Sequence, residues 1–526
     1  MRRPSFVLFI TDQQRADHLG CYGDPTVRTP HLDRLAAEGV RFTRFHVATP
    51  ICQPNRACLV TGQQPSVNGV RQNGIPLDLD SVTFADVLRA SGYRTGYIGK
   101  AHFQNVTDIP APERRPGGRR GEVPPEDLRH SLRRQRDGEA YGWEVRRRWA
   151  ENPDRELPTP YYGFDHVRLC IGHGDQVEGH YTAWLRSRQA DPDGLRGPAN
   201  ALPDATVTAP QCWRTALPEE DYPTAYVAEQ ACDFLDDQDA DTPFVLVVSF
   251  PDPHHPFTPP GRYWSMYDPD EVVLPPNAGR AVEAIPGLPD SALAAYRWGR
   301  AELDSHWPLT LPERQLREMI ALNYGSISMI DDAVGRVLAR LEERGLVEDT
   351  VVAFTSDHGD YMGDHGSVLK LGLHFRSVVR VPLIWRDRRA HDPGGRVSGR
   401  LGSAIDVAPT VLQRAGLKTP IGMQGRDLFD ASRPAPPVLI EDAGIQVFRD
   451  GDAETGITTL VTEDWRLSLF EGAAGGELYH LAKDPHETRN LWDDPMQRDD
   501  KAALLEALAR RMAELRDRRL SATARA

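Results

Sequence analysis

The chain has 526 residues, room for roughly three to four average domains of about 150 residues, although large single α/β cores exceed that average. Hydrophobic residues make up 40% and charged residues 26%, a mixture that excludes an intrinsically disordered chain. The 62 Lys and Arg fall short of the 76 Asp and Glu, for a net charge of −14. That excludes a broad, phosphate-neutralising nucleic-acid binder but leaves room for one small cationic pocket. No apolar run approaches the ~20 residues that cross a bilayer, so neither membrane nor nucleic acid is expected as a partner. Six cysteines (Cys21, Cys52, Cys58, Cys170, Cys212 and Cys232) in so long a chain make no disulfide framework, and a reducing cytoplasm is expected.

The opening MRRPSFVLFITDQQ has the arginines and short apolar stretch of a signal peptide. It lacks a small-residue cleavage site, and Asp12 follows the apolar run directly, so residues 6–11 read as a first buried strand. TPHLDRLAAEGVRF (29–42) reads as a helix capped by Thr29, with Pro30 in the first turn and Gly39 at its end. A strand is predicted at 94–99. Residues 104–220 are rich in Pro, Gly and Arg and read as a long insertion of loops and short helices around the site. Within it, the Arg-rich stretch 113–136 reads as a solvated, self-compensated surface. Further strands are predicted at 244–250, 351–355 and 381–385, and helices at 316–345 and 405–414. Composition changes again near DASRPAPP (430–437). Hairpin-like runs at 438–442, 458–471 and 476–481 follow, then a helix over 501–519 and a frayed tail, SATARA. Strands alternating with helices predict an α/β fold. A large, mixed, mostly parallel sheet flanked by helices would fill residues 1–430, and a small antiparallel sheet with one helix residues 431–526. No internal repeat is found.

In open α/β sheets ligands gather beyond the carboxyl ends of strands. Asp12 follows VLFIT, and Asp357 with His358 follows VVAFTS, so two carboxylates and an imidazole are placed to meet on one divalent cation. The plainer reading of either Asp, a loop cap, stands beside this. More specific is ATPICQPNRACLVTG (48–62), in which Cys52, Pro54 and Arg56 form C-x-P-x-R before an apolar helix start. A buried thiol beside a turn proline is its plainer reading.

This segment resembles the formylglycine signature of sulfatases, in the alkaline-phosphatase superfamily. The resemblance extends in order through FVLFITDQQRADHLGCYG, TPHLDRLAAEGVRF, YIGKAHF, PDPHHPF, TSDHGDYMGDHGSVLK and GELYHLAKDPHETRNL. It implies an alkaline-phosphatase-like fold and a Cys52 oxidised by a formylglycine-generating maturation enzyme to an aldehyde that hydrates to a diol. One hydroxyl of that diol attacks sulfur or phosphorus, and the other then expels the bound anion; an ordinary serine or thiol has no such second group. It also implies one metal held by Asp12, Cys52, Asp357 and His358, with Arg56 holding the diol. Lys100, His102, His254 and Lys370 would line the substrate anion, either histidine protonating the leaving oxygen, and Asn73 would add a polar contact.

Gln13 stands where many members have a second Asp, and His358 where many have Asn. The resulting less anionic, more nitrogen-rich site shifts the expected metal from Ca2+ towards Mn2+. This variant resembles the choline-sulfatase and phosphonate monoester hydrolase branch. Asn55 occupies a position that is usually small. Phosphonate monoester hydrolases carry hydroxyl residues where Lys100 and His102 stand, so a small-molecule sulfate ester is the expected substrate, with phosphonate monoesters and phosphodiesters as the alternative. A non-catalytic anion-binding homologue is the alternative of another class. Choline recognition would need an aromatic cage, for which Trp143, Tyr161, Tyr162, Trp184 and Trp213 are candidates, although packing of the insertion is the favoured reading of them. His173 and His180 read as solvent-facing loop histidines. The resemblance makes a homo-oligomer the expected assembly.

Overall fold

The computed structural model describes residues 3–109, 136–239, 241–280, 310–370, 373–390, 394–443 and 456–520. The stretch 113–135 and the tail 521–526 therefore lie outside the described residues. The strands are β1 Ser5–Thr11, β2 Val40–Phe42, β3 Phe45–His46, β4 Arg94–Gly99, β5 His166–Ile171, β6 Glu178–Gly179, β7 Phe244–Ser249, β8 Thr350–Ser356, β9 Leu383–Arg386, β10 Arg396–Ser398, β11 Gly402–Ser403, β12 Val438–Asp442, β13 Ile457–Val461, β14 Trp465–Phe470 and β15 Gly476–His480. The principal helices are α1 Pro30–Ala37, α2 Cys52–Thr61, α3 Phe84–Ala90, α4 Pro223–Asp236, α5 Glu313–Glu343, α6 Val407–Arg414 and α7 Arg498–Glu514.

Among the described residues, nine strands form one sheet in the order β10-β2-β9-β8-β1-β7-β4-β5-β6. Its middle, β8-β1-β7-β4-β5, is parallel throughout, while β9 and β6 pair antiparallel at either side. The first strand, β1, is buried along its whole length because helices cover both faces of the sheet. Phe6, Leu8 and Ile10 join the apolar layer that contains α2, α3 and α6. Val7 and Phe9 join the opposite layer, with α1, α4 and α5. Alternate side chains of one strand thus serve two cores, which is why the segment reads as a continuous apolar run.

Three local readings need correction. Thr29 stands at the start of α1, but its hydroxyl accepts from the Gly20 N–H and donates to Asp33. Asp331, buried on α5, caps that helix instead, accepting from the N–H groups of His31 (3.0 Å) and Leu32 (2.8 Å). Gly39 lies beyond the end of α1, and a Cβ there would come within 2.4 Å of the Trp385 carbonyl on β9. Beyond following the helix end, it therefore serves the close approach of this segment to β9. The stretch 104–220 also contributes more than loops and short helices: β5 and β6 extend the main sheet from β4.

Strands β12, β13, β14 and β15 form a separate antiparallel meander. Val438, Leu460, Leu467 and Leu478 from it, with Leu504 and Leu508 of α7, share one apolar cluster with the large sheet. A buried ion network adds to this contact. Arg466 on β14 pairs with Glu477 (2.8 Å) and Glu487, and Glu487 accepts from the Arg376 backbone N–H at 2.6 Å. The guanidinium lies 4.7 Å from the Tyr479 ring centroid and 5.3 Å from that of Phe375. The small sheet thereby holds the segment that follows Lys370. No helix among the described residues is long and apolar enough to cross a membrane.

Removing one member of such a network strands buried charge. Arg466→Ala should lower unfolding free energy by about 3–5 kcal/mol, read as the shift of the denaturant midpoint at constant slope. A loss below about 1 kcal/mol would mean that Glu477 and Glu487 find other partners.

Candidate active site

The carboxyl ends of the parallel strands point one way, and the chemistry-bearing residues stand just beyond them. Asp12 follows β1, Asp357 and His358 follow β8, Lys100 and His102 follow β4, and His254 lies five residues past β7. Across from them Cys52 opens α2, placing its Sγ at a helix N-terminus, where backbone N–H dipoles favour negative charge. All of these side chains are buried. Lys370 reaches in from the loop after β8, which Asp360 braces by accepting from the N–H groups of Met362 and Leu369, both at 2.8 Å.

Asp12, Cys52, Asp357 and His358 each offer a ligand atom, and these atoms lie within 4.8 Å of one another. Two further observations fit a cation. Asp12 Oδ1 is buried with no hydrogen-bond partner among the described residues. His358 Nδ1 donates to the Gly359 carbonyl at 2.9 Å, so its Nε2 presents a lone pair to the cluster. Two carboxylates, an imidazole and one further group suit a divalent ion.

Arg56, one turn along α2 from Cys52, joins these carboxylates. Its Nε donates to Asp357 Oδ2 at 2.7 Å, and its Nη2 lies 3.5 Å from Asp12 Oδ2. Its Nη1 donates to the Lys100 carbonyl (2.6 Å) and to Ser249 Oγ (2.7 Å). With the unmodified thiol at position 52, the Arg56 donors go to the Asp12 and Asp357 carboxylates, to Ser249 and to the Lys100 carbonyl at the end of β4. Two buried carboxylates on adjacent strands repel, and the guanidinium fork is the group that spans both.

Lys100 Nζ bonds Asp12 Oδ2 and lies 2.6 Å from His173 Nε2. Lys370 Nζ lies 2.9 Å from Cys52 Sγ, 2.7 Å from His358 Nε2 and 3.3 Å from His254 Nε2. Burial pushes Asp12 upward, but Lys100, Arg56 and Lys370 outweigh it and hold the carboxyl well below the usual range. Burial likewise raises the Cys52 thiol, and Lys370 with Lys100 more than reverses this. His102 adds to the lowering of the Cys52 thiol, while its own Nδ1 is buried without a partner among the described residues. His254 donates from Nδ1 to the His255 carbonyl. Burial, then the neighbouring His173, His255 and lysines, pushes His254 well down, so it is neutral and bare at Nε2.

Asn73 is exposed beside this cluster, and its Oδ1 accepts from the Gln53 N–H at 3.2 Å, so it caps the start of α2. Asn55 has a different use from the small residue expected there: its amide donates to the Asp357 carbonyl at 2.5 Å and accepts from Ala48 N–H. Gln13 bonds Asp360 at 2.5 Å and Asp357 through its backbone N–H, lacing the two loops together. The five insertion aromatics do not form a cage. Tyr161 bonds Glu144, Tyr162 the Leu77 carbonyl, Trp184 Glu229 and Trp213 Asp175, while Trp143 packs on Arg155. His180 packs against Trp149 away from the cluster.

The residue that sequence reasoning missed is His173. It follows β5 as Asp12 follows β1, and its ring stacks on His254 with centroids 3.6 Å apart. The signal was available: HVRLCI is a β-rich run ending in Gly-His-Gly. The surrounding Pro- and Arg-rich composition concealed it.

A family model described as Sulfatase matches residues 4–417, and another, N-sulphoglucosamine sulphohydrolase C-terminal, matches 363–518. An arylsulfatase of Clostridium perfringens is 27% identical over 515 residues, covering 93% of this chain and 90% of its own length. A multifunctional alkaline phosphatase superfamily protein of Trinickia caryophylli is 29% identical, covering 94% and 92%. The crystal structure of a phosphonate monoester hydrolase of Agrobacterium radiobacter superposes with a TM-score of 0.74 at 27% identity, over 98% of this chain and 97% of that one.

Replacing Arg56 separates its charge from its position. Arg56→Met should destabilise the metal-free protein by about 3–5 kcal/mol, because it takes the guanidinium from buried Asp357 and leaves buried Asp12 to Lys100. Added Ca2+ or Mn2+ should then raise the melting temperature more than in the parent protein. An equal rise in both would show that Arg56 and the cation do not share those carboxylates.

Proposed function

The chain belongs to the sulfatase family, and we propose that it hydrolyses sulfate monoesters to inorganic sulfate and an alcohol. The observation that carries this reading is the position of Cys52. Its Sγ lies within 4.8 Å of ligand atoms from Asp12, Asp357 and His358, and 2.9 Å from the Lys370 ammonium. Cys52 here is the unmodified thiol, so its sulfur marks where the oxygens of formylglycine would stand. Formylglycine supplies a diol with an attacking hydroxyl and a second hydroxyl that frees the anion, and the divalent cation, Ca2+ or Mn2+, supplies positive charge beside them. A formylglycine-generating enzyme is the maturation partner this chemistry requires.

The remaining work falls to this chain's own side chains. Arg56 holds the Asp12 and Asp357 carboxylates in place beside Cys52. Lys100 and Lys370 supply the positive charge that balances the sulfuryl oxygens in a dry site, where such interactions are strongest. Lys370 is itself oriented by the bare Nε2 of His254 at 3.3 Å. A neutral His254 with its proton on Nδ1 has none to give at Nε2. This favours His102, buried beyond the end of β4, as the donor to the leaving oxygen. An alkyl sulfate needs that proton, because its alkoxide leaves poorly.

A second reading, phosphonate monoester or phosphodiester hydrolysis, draws on the likeness to the phosphonate monoester hydrolase. Lys100 and His102 weigh against it as the principal activity, since those enzymes carry hydroxyl residues at the matching positions. The trigonal charge of the two transition states is similar, so secondary activity on phosphorus esters is part of the proposal.

Cys52→Ala should reduce turnover of an aryl sulfate by about 10⁴-fold or more, with peptide mass spectrometry of the Cys52 segment detecting the aldehyde in the parent protein. Undiminished hydrolysis would reject Cys52 as nucleophile. Parallel kcat/KM values on a sulfate monoester, a phosphonate monoester and a phosphodiester should rank the sulfate first. A phosphonate in first place would reverse the two readings.

A further inference from the structure

We propose that His173 is a positioning residue for Lys100: its imidazole Nε2 accepts a hydrogen bond from the Lys100 ammonium and holds that cation between Asp12 and the reacting anion. This rests on the reading above, in which Lys100 serves the substrate anion.

Lys100 Nζ is bonded to Asp12 Oδ2 and lies 2.6 Å from His173 Nε2, which is itself 3.8 Å from that carboxylate oxygen. An ammonium has three N–H donors and no acceptor, so His173 can only be the acceptor in this pair. With two donors fixed by Asp12 and His173, the third is confined to one remaining direction. That matters because a lysine is a compact charge on a flexible four-carbon stem, and its aim must come from its partners.

The ring itself is held. It lies on His254 at 3.6 Å between centroids and 9° between planes, and His254 lies on His255 at 4.0 Å and 25°. Its backbone is placed by Gly172 and Gly174, with φ of 108° and 54°, left-handed values that favour glycine. A Cβ at Gly174 would also come within 2.9 Å of the Pro256 carbonyl. These glycines turn the chain sharply at the end of β5 and put the imidazole over the end of β4. His173 is 27% exposed whereas Lys100 is 3% exposed, so the imidazole is the wall between the buried cation and solvent.

Asp12, His173 and His254 also lie close enough to hold an ion. The Lys100 ammonium already engages Asp12 and His173, so the cluster is assigned to that cation.

The test is a double-mutant cycle on the full-length, matured enzyme. His173→Ala should lower kcat on an aryl sulfate by about 10- to 100-fold while leaving KM nearly unchanged. His173→Gln, whose amide oxygen can accept where Nε2 stood, should recover most of that loss. Lys100→Ala with His173→Ala should be no worse than Lys100→Ala alone. Calorimetric binding of inorganic sulfate to the same four proteins should show the same non-additivity. Multiplying effects in the double variant, or a His173→Gln as poor as His173→Ala, would overturn the proposal while leaving the sulfatase reading intact. A parent enzyme that neither turns over an ester nor binds sulfate would overturn both.

Discussion

Two buried carboxylates on neighbouring strands set the terms for the rest of the molecule. Asp12 and Asp357 end β1 and β8, which pair in register from Ser5 with Thr350 to Thr11 with Ser356. In-register parallel strands bring those carboxylates together, where they repel in a medium that screens poorly. Arg56 answers this by bonding one carboxylate at 2.7 Å and approaching the other at 3.5 Å. It is reached from α2, whose first residue is Cys52, so one helix supplies both the counter-charge and the reactive position. Lys100 and Lys370 add positive charge that the carboxylates alone do not require. The surplus concentrates positive charge in one pocket of a chain of net charge −14.

The sheet order turns this local balance into a site. Strands β8, β1, β7, β4 and β5 run parallel side by side, and each is followed by a residue of the cluster. The small antiparallel sheet contributes at a distance. Its Arg466–Glu487 pair fixes the backbone at Arg376, within a few residues of Lys370. Among the described residues, the C-terminal unit therefore supports a cation of the site without lending a side chain to it.

How much of this could be read in advance differs by residue. The strand at the N-terminus, the C-x-P-x-R segment and the Asp357-His358 pair are compact and local, and all were legible. Arg56 was legible as a site residue but its partner was not, because Asp357 lies 301 positions away along the chain. His173 was hidden by composition. Its strand sits among Pro, Gly and Arg, and a histidine between glycines ordinarily marks a solvated turn. The aromatic residues of the same stretch failed in the opposite way: they were legible as a possible cage, but packing scatters them between separate partners.

Sequence by itself determined the α/β class, the two sheets, and nearly all of the cluster, because apolar periodicity and short motifs are properties of neighbouring residues. Tertiary structure alone decided that β5 joins the main sheet and carries His173 to Lys100. It also decided that Arg56 binds carboxylates and that the His254 Nδ1 faces the His255 carbonyl. Each of those depends on which strand lies beside which, and on where a ring nitrogen finds its carbonyl. These are distances across the fold, and no periodicity along the chain encodes them.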